Sequence, residues 1–306
     1  MNKLIIIAGP TAVGKSTYAI ELAKKINGSI ISADSIQVYK GLNIGSAKIT
    51  KDEMDNVKHY LIDVVPFDYD FNITTFKQMA KKAIKEIYND GKIPIIVGGT
   101  GFYIQAILYD INFKKENSIR KEEIEKLIYK IKNYKGIEFL YDNLKVVDIE
   151  SYNKIHIHNE KRVIRALEYY MLHNEQISKH NEEESNKKSQ FDYEYYALYC
   201  DKEVLYDRIN KRIDLMINNG LLLEIKNLIL NGCKKEYRSM QAIGYKELYD
   251  YVNNNINSIE KINYTNIDSE LSNIINTIKQ KSRNYAKRQM TWFRREENAK
   301  FIKIKY

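Results

Sequence analysis

One stretch near the start limits the folds open to this chain more than any other. Residues 9–17 read GPTAVGKST: a glycine, four residues, then Gly-Lys-Ser. Ahead of it, Leu4 to Ala8 is a short apolar run of buried-strand type, and behind it Thr17 to Lys25 carries apolar residues at helical spacing. A strand passing through a glycine-rich turn into a helix aims backbone N–H groups, and the positive end of that helix, at one concave site. Gly9, Pro10, Thr11, Ala12, Val13, Gly14, Lys15 and Ser16 are therefore the candidate loop for a diphosphate-containing ligand. Lys15 can reach terminal phosphate oxygens, and the Ser16 hydroxyl can join the coordination of a magnesium ion.

The same alternation continues. Ser29 to Ala33 reads as a second strand ending at Asp34, Lys77 to Tyr88 as a helix, and Ile93 to Val97 as a third strand ending at Gly98-Gly99-Thr100-Gly101. Strands alternating with helices predict a parallel sheet, whose ligands bind beyond the carboxyl ends of the strands. The phosphate loop, Asp34 and the glycine turn all fall at such ends. Asp34 has two readings: a carboxylate for a metal, a hydroxyl or an incoming nucleophile's proton, or half of a turn-forming Asp-Ser pair. Thr100 offers a hydroxyl, and the glycines beside it let a substrate approach the backbone closely. An acid for magnesium is common at this point in phosphate-hydrolysing enzymes, and its absence weighs against a small-molecule kinase holding ATP in the loop.

From about residue 112 the texture changes. Ser118 to Tyr134 is a charged helical segment with Ile124, Leu127, Ile128 and Ile131 as its apolar stripe, and Glu160 to Leu172 is a helix with Val163, Ile164, Leu167 and Met171 on one side. Lys179 to Gln190 has no large apolar residue and reads as a flexible connection. Tyr193 to Cys200 returns to strand composition, and the remainder reads as mostly helical. The predicted organisation is an α/β core over residues 1–111 and 191–306, interrupted by a helical insertion over 112–190. A net charge of +9 favours anionic partners such as nucleic acid. Cys200 and Cys233 are the only cysteines, too few for a disulfide framework or a cysteine-rich zinc site, and both read as buried apolar residues. With no leader and no run long enough to cross a bilayer, the chain reads as a soluble, cytoplasmic monomer.

Eight blocks carry a resemblance: GPTAVGKS, DSIQVYKGLNIGSAK, HYLID, VGGTGFYIQA, KIHIHNEKRVIRALE, LYDRINKRIDLMINNGLLLEI, SMQAIGYKEL and YAKRQMTWFR. In this order they resemble the successive motifs of bacterial tRNA dimethylallyltransferases, almost from end to end. The resemblance implies a P-loop NTPase-like α/β fold with a helical insertion. It also implies transfer of a dimethylallyl group from dimethylallyl diphosphate to the N6 amine of the adenosine 3′ to the anticodon, in tRNAs reading codons that begin with U. Prenyl transfer to free adenine nucleotides is a neighbouring alternative. On this resemblance Asp34 is the base, Thr100 contacts the reacting nucleotide, and Arg212 joins Lys15, the loop amides and Mg2+ through Ser16 at the diphosphate. Without it, Arg208 and Arg212 would read as an exposed helix face. The family's tRNA contacts fall on Asp34, Ser35, Ile36 and Gln37 around the target nucleotide. They continue on Lys161, Arg162, Val163, Ile164 and Arg165 at the anticodon stem-loop. The aromatic and basic C-terminal block, Tyr285 to Arg295, is read as a structural helix with solvated cations.

Overall fold

The computed structural model describes residues 2–114, 118–261 and 267–306. The chain forms two compact units, Met1–Leu108 with Gln190–Tyr306, and Tyr109–Ser189.

The first unit is built on six parallel strands: β1 (Lys3–Ala8), β2 (Gly28–Ser32), β3 (His59–Tyr60), β4 (Ile93–Gly98), β5 (Asp192–Tyr199) and β6 (Ala299–Lys303), in the order β3-β2-β4-β1-β5-β6. Leu4, Ile6, Ile7, Ile31, Ile95 and Ile96 have no exposed surface. Continuous apolar runs of this kind suit strands covered on both faces. Helix α1 (Lys15–Ile26) follows β1, and Gly14 precedes it in the left-handed region at φ 83°. Helix α2 (Ile73–Asn89) starts four residues before its apolar pattern suggests. Its start is set by Asn72, whose side-chain oxygen accepts from the Thr74 and Thr75 amides at 3.0 and 3.1 Å. Helix α3 (Gly101–Leu108) leaves β4, and Phe76 of α2 stacks on its Tyr103 at 4.3 Å between ring centroids.

The second unit contains α4 (Ser118–Val147), bent at Gly136, followed by α5 (Ile149–Lys154), α6 (Glu160–His173) and α7 (Ile177–Ser185). Ile124, Ile128, Leu140 and Leu144 of α4 and Val163, Ile164, Ala166 and Leu167 of α6 make its core. Leu127 and Met171, expected in the stripes, are exposed at the edges. Helix α7 corrects the flexible connection expected from residue 179. It has no buried residue, and its order comes from a distant side chain. Buried Asp148 caps α5 at the Ser151 amide and also accepts from the Ser178 amide and hydroxyl, at 3.1 and 2.6 Å.

The rest of the first unit comprises α8 (Lys202–Asn218), α9 (Leu221–Leu230), α10 (Tyr245–Asn254) and α11 (Ser269–Phe293). Strand β6 is a second correction, because that tail was read as helical. It adds an edge strand beside β5, with Tyr195 opposite Ala299 and Tyr199 opposite Lys303. Cys233 is buried, whereas Cys200 is partly exposed. Among the described residues no helix is long and apolar enough to cross a membrane.

Candidate active site

Three neighbouring strands, β2, β4 and β1, end at one level. Ser32 pairs with Val97 and Ala8 with Gly98, so Asp34, the Gly99-Thr100 turn and the phosphate loop emerge side by side, one strand spacing apart. Close backbone approach makes this possible: a β-carbon on Gly98 would lie 2.3 Å from the Ala33 carbonyl oxygen.

The loop is a strained conformation held from outside. Ala12 sits in the left-handed region at φ 64°, a geometry that costs an ordinary residue about 1–2 kcal/mol. Arg208 on α8 secures it by donating Nε–H to the Ala12 carbonyl at 2.8 Å. This is not the exposed cationic face that local sequence suggests for Arg208. Lys15 folds back onto the loop, donating Nζ–H to the Pro10 carbonyl at 2.7 Å. Burial, reinforced by the Arg212 charge and opposed by Asp34, lowers its amine to about 7. Arg212, one turn along α8 from Arg208, is likewise pushed below its ordinary value by burial, with Asp34 opposing and Arg208 adding. Lys15 of the loop and Arg212 of α8 thus act on each other beside it, each lowered by burial and each opposed by Asp34.

Both readings of Asp34 have a place in the geometry. Its Oδ1 accepts from the Ile36 and Gln37 amides at 2.8 and 3.2 Å, which is the turn-forming role. Among the described residues Oδ2 accepts no hydrogen bond. Ser35, Ile36 and Gln37 are partly exposed beside it. The Gln37 amide leans on the Ser46 and Ala47 carbonyls at 3.4 and 3.3 Å. That loop is itself gathered by Glu224, which accepts from the Asn43, Ile44 and Gly45 amides.

Ser16 is exposed at the start of α1, and its hydroxyl makes no hydrogen bond among the described residues. No group of three or more His, Cys, Asp or Glu side chains converges on a metal position among them either. A divalent ion here would take the Ser16 hydroxyl with ligand oxygens and water.

In the second unit, Lys161 and Arg162 are exposed at the start of α6, and Arg165 is partly exposed, 3.8 Å from Glu168. Val163 and Ile164, predicted alongside them, are core residues with 0% and 5% exposure. Their side chains face inward because they occupy the apolar side of the helix on which the basic residues occupy the other.

Sequence reasoning missed two residues of α11. Tyr285 lies near Thr100, and burial together with the Asp34 charge raises its hydroxyl. Gln289, 6% exposed, bridges the Thr11 amide and the Gly99 carbonyl. A tyrosine and a glutamine four apart amid Lys287 and Arg288 carry no local sign that they turn toward strand ends.

Residues 37–296 match the family model described as IPP transferase. The tRNA dimethylallyltransferase of Lachnoclostridium phytofermentans is 45% identical over 307 residues, spanning 100% of this chain and 93% of that protein. The full-length tRNA isopentenylpyrophosphate transferase from Bacillus halodurans superposes with TM-score 0.69 and 39% identity, covering 99% of this chain and 90% of its own. A eukaryotic dimethylallyltransferase acting on tRNA gives TM-score 0.78 at 28% identity, covering 99% of this chain and 74% of that one.

Proposed function

Because the chain belongs to the IPP transferase family, the tRNA dimethylallyltransferases, we propose a division of labour among its own residues. The donor, dimethylallyl diphosphate, takes the phosphate loop, with Lys15 and Arg212 on its oxygens. The acceptor is the N6 amine of the adenosine 3′ to the anticodon, in tRNAs reading codons that begin with U. It enters between Asp34 and Thr100, where Ser35, Ile36 and Gln37 surround the base. Unstacking that base costs a few kcal/mol, offset by contacts in the pocket.

An N6 amine is a weak nucleophile, since its lone pair is delocalised into the ring. As nitrogen bonds to the allylic carbon, the carbon–oxygen bond to diphosphate breaks and its electron pair leaves on oxygen. The amine proton passes to Asp34, through the carboxylate oxygen not engaged in the turn. Lys15 and Arg212 meet the charge that develops on the departing diphosphate, and fixed cations withdrawn from water do so with little reorganisation. Mg2+, held by Ser16 and the diphosphate, would add charge neutralisation at the same oxygens. Lys161, Arg162 and Arg165 take the phosphates of the anticodon stem-loop, while Val163 and Ile164 serve by building the helix that presents them.

The observation that carries this reading is the placement of Asp34, Thr100 and the phosphate loop with Lys15 at three adjacent strand ends, with Arg212 acting on Lys15. Label transfer from allyl-labelled donor tests it, with unmodified tRNA, AMP or no acceptor. Label in tRNA that disappears with Asp34→Asn is the expected result. Label in AMP alone would reassign the acceptor, and label surviving Asp34→Asn would remove the base.

A further inference from the structure

One helix reaches both the phosphate loop and the glycine turn of this site. Tyr285, Gln289 and Trp292 are spaced four and three along α11, so they share a face. The Tyr285 hydroxyl lies near Thr100 and the Gln289 side chain, and the Trp292 ring fills the space a β-carbon on Gly101 would need, 2.1 Å away. Between them lies Gln289, buried, with both ends of its carboxamide engaged. Its Oε1 accepts the Thr11 N–H at 3.0 Å, and its Nε2 donates to the Gly99 carbonyl at 2.9 Å.

This carboxamide has one possible orientation. Turned over, it would face its N–H groups to the Thr11 amide and its oxygen to the Gly99 carbonyl, two repulsive contacts in a buried place. Only glycine leaves room for it at position 99, since a β-carbon there would lie 2.1 Å from Nε2. A strut fixed at both ends transmits a displacement from one to the other. One end is an amide of the phosphate loop, and the other is the residue before Thr100.

We propose that Gln289 is a positioning residue that couples the donor loop to the turn carrying Thr100, so that donor and RNA strengthen each other's binding. The inference rests on the assignment of donor and acceptor sides given above. Coupling between sites is reciprocal, so it can be read from the donor side alone.

The test measures the affinity of the intact enzyme for an unreactive thiolo analogue of dimethylallyl diphosphate, with and without saturating anticodon stem-loop RNA. RNA is expected to tighten donor binding at least about fivefold in the unaltered enzyme, the lower end of ordinary coupling. Gln289→Met keeps the length and fills the niche but removes both hydrogen bonds. It should reduce the tightening to below about twofold on the same scale, with RNA-free affinity little changed. Gln289→Glu keeps an acceptor for Thr11 and loses the donor to Gly99, so its tightening should be lost too. If the methionine variant fails to fold, the glutamate variant decides alone. Tightening that survives in a folded variant, or that is absent from the unaltered enzyme, overturns the proposal. Absence of any label transfer to RNA by the unaltered enzyme would instead overturn the functional reading itself.

Discussion

The two units treat their cations in opposite ways. In the first, Lys15 and Arg212 are drawn into the phosphate loop, and desolvation lowers the affinity of both for their protons. In the second, Lys161 and Arg162 are exposed and Arg165 partly so, outside the apolar cluster of α4 and α6, and pairs such as Lys126–Glu122 and Lys154–Glu150 are exposed bridges of little energetic weight. A desolvated cation is held ready for charge that appears only as a bond breaks. A solvated one attracts a polyanion in both ground and transition states, in proportion to the counterions released. Damage to the first unit should therefore strike turnover, and damage to the second should strike RNA binding.

Asp34→Asn makes the sharpest cut. Asparagine keeps a carbonyl oxygen for the Ile36 and Gln37 amides but takes no proton. Single-turnover rate should fall by about 10²–10⁴, the usual contribution of a positioned base, with the thermal midpoint unchanged. A loss confined to KM for tRNA would erase the distinction between the units. Leu144→Ala strikes the other side. Leu144 has no exposed surface in the core of the helical unit, and its truncation should cost about 2–5 kcal/mol of that unit's stability. Chemical denaturation followed by a probe in that unit reads this directly. Donor affinity should stay where it was, and a parallel fall would mean that the units do not stand apart energetically. Replacing Arg162 and Arg165 together by Ala is gentler: KM for tRNA should rise about tenfold, or ~1.4 kcal/mol, with kcat held. The salt dependence of binding should become shallower by about one unit of slope per arginine that met a phosphate.

The contrast also separates what the chain reveals locally from what it does not. The parallel sheet was legible because Leu4–Ala8, Ser29–Ala33 and Ile93–Val97 are short apolar-rich runs alternating with helical stretches, and glycine turns follow the first and the third. Asp34 was legible as a candidate because it follows a strand directly. Its Oδ1 fills the turn-forming role, and Oδ2 accepts no hydrogen bond among the described residues. Helix α7 and strand β6 were not legible, and the reason is shared. Residues 177–185 have no fully buried residue, Ile177 alone packing partly against the core, and Ser178 is held by Asp148, thirty positions earlier; residues 299–303 form a strand on the edge that β5 offers. Gln289 and Tyr285 were missed for the same cause. Their partners are Thr11, Gly99 and Thr100, and polar residues on a basic helix look solvated until that helix is laid across the strand ends. Arg208 shows how far this goes, since a residue spaced like a surface charge is the one that fixes the Ala12 carbonyl.

The smallest effect concerns charge state rather than placement. With the loop empty, burial and the neighbouring Arg212 hold the Lys15 amine at about 7, well below an ordinary lysine. A diphosphate favours the ammonium form, so donor binding should take up a proton wherever the empty site has released one. The sign is then fixed: affinity falls as pH rises through 7. With an amine at about 7, half the empty sites are protonated at pH 7 and about a tenth at pH 8, so the dissociation constant should rise about fivefold over that unit. Ionisation of the donor itself works in the opposite direction, strengthening binding as pH rises. Lys15→Arg, whose guanidinium stays charged throughout, should flatten the fall. Calorimetry in two buffers of different protonation enthalpy measures the proton uptake itself. No uptake, with a flat affinity profile, would mean that Lys15 stays an ammonium in the empty loop. The cations of the two units would then differ in where they stand and not in what they carry.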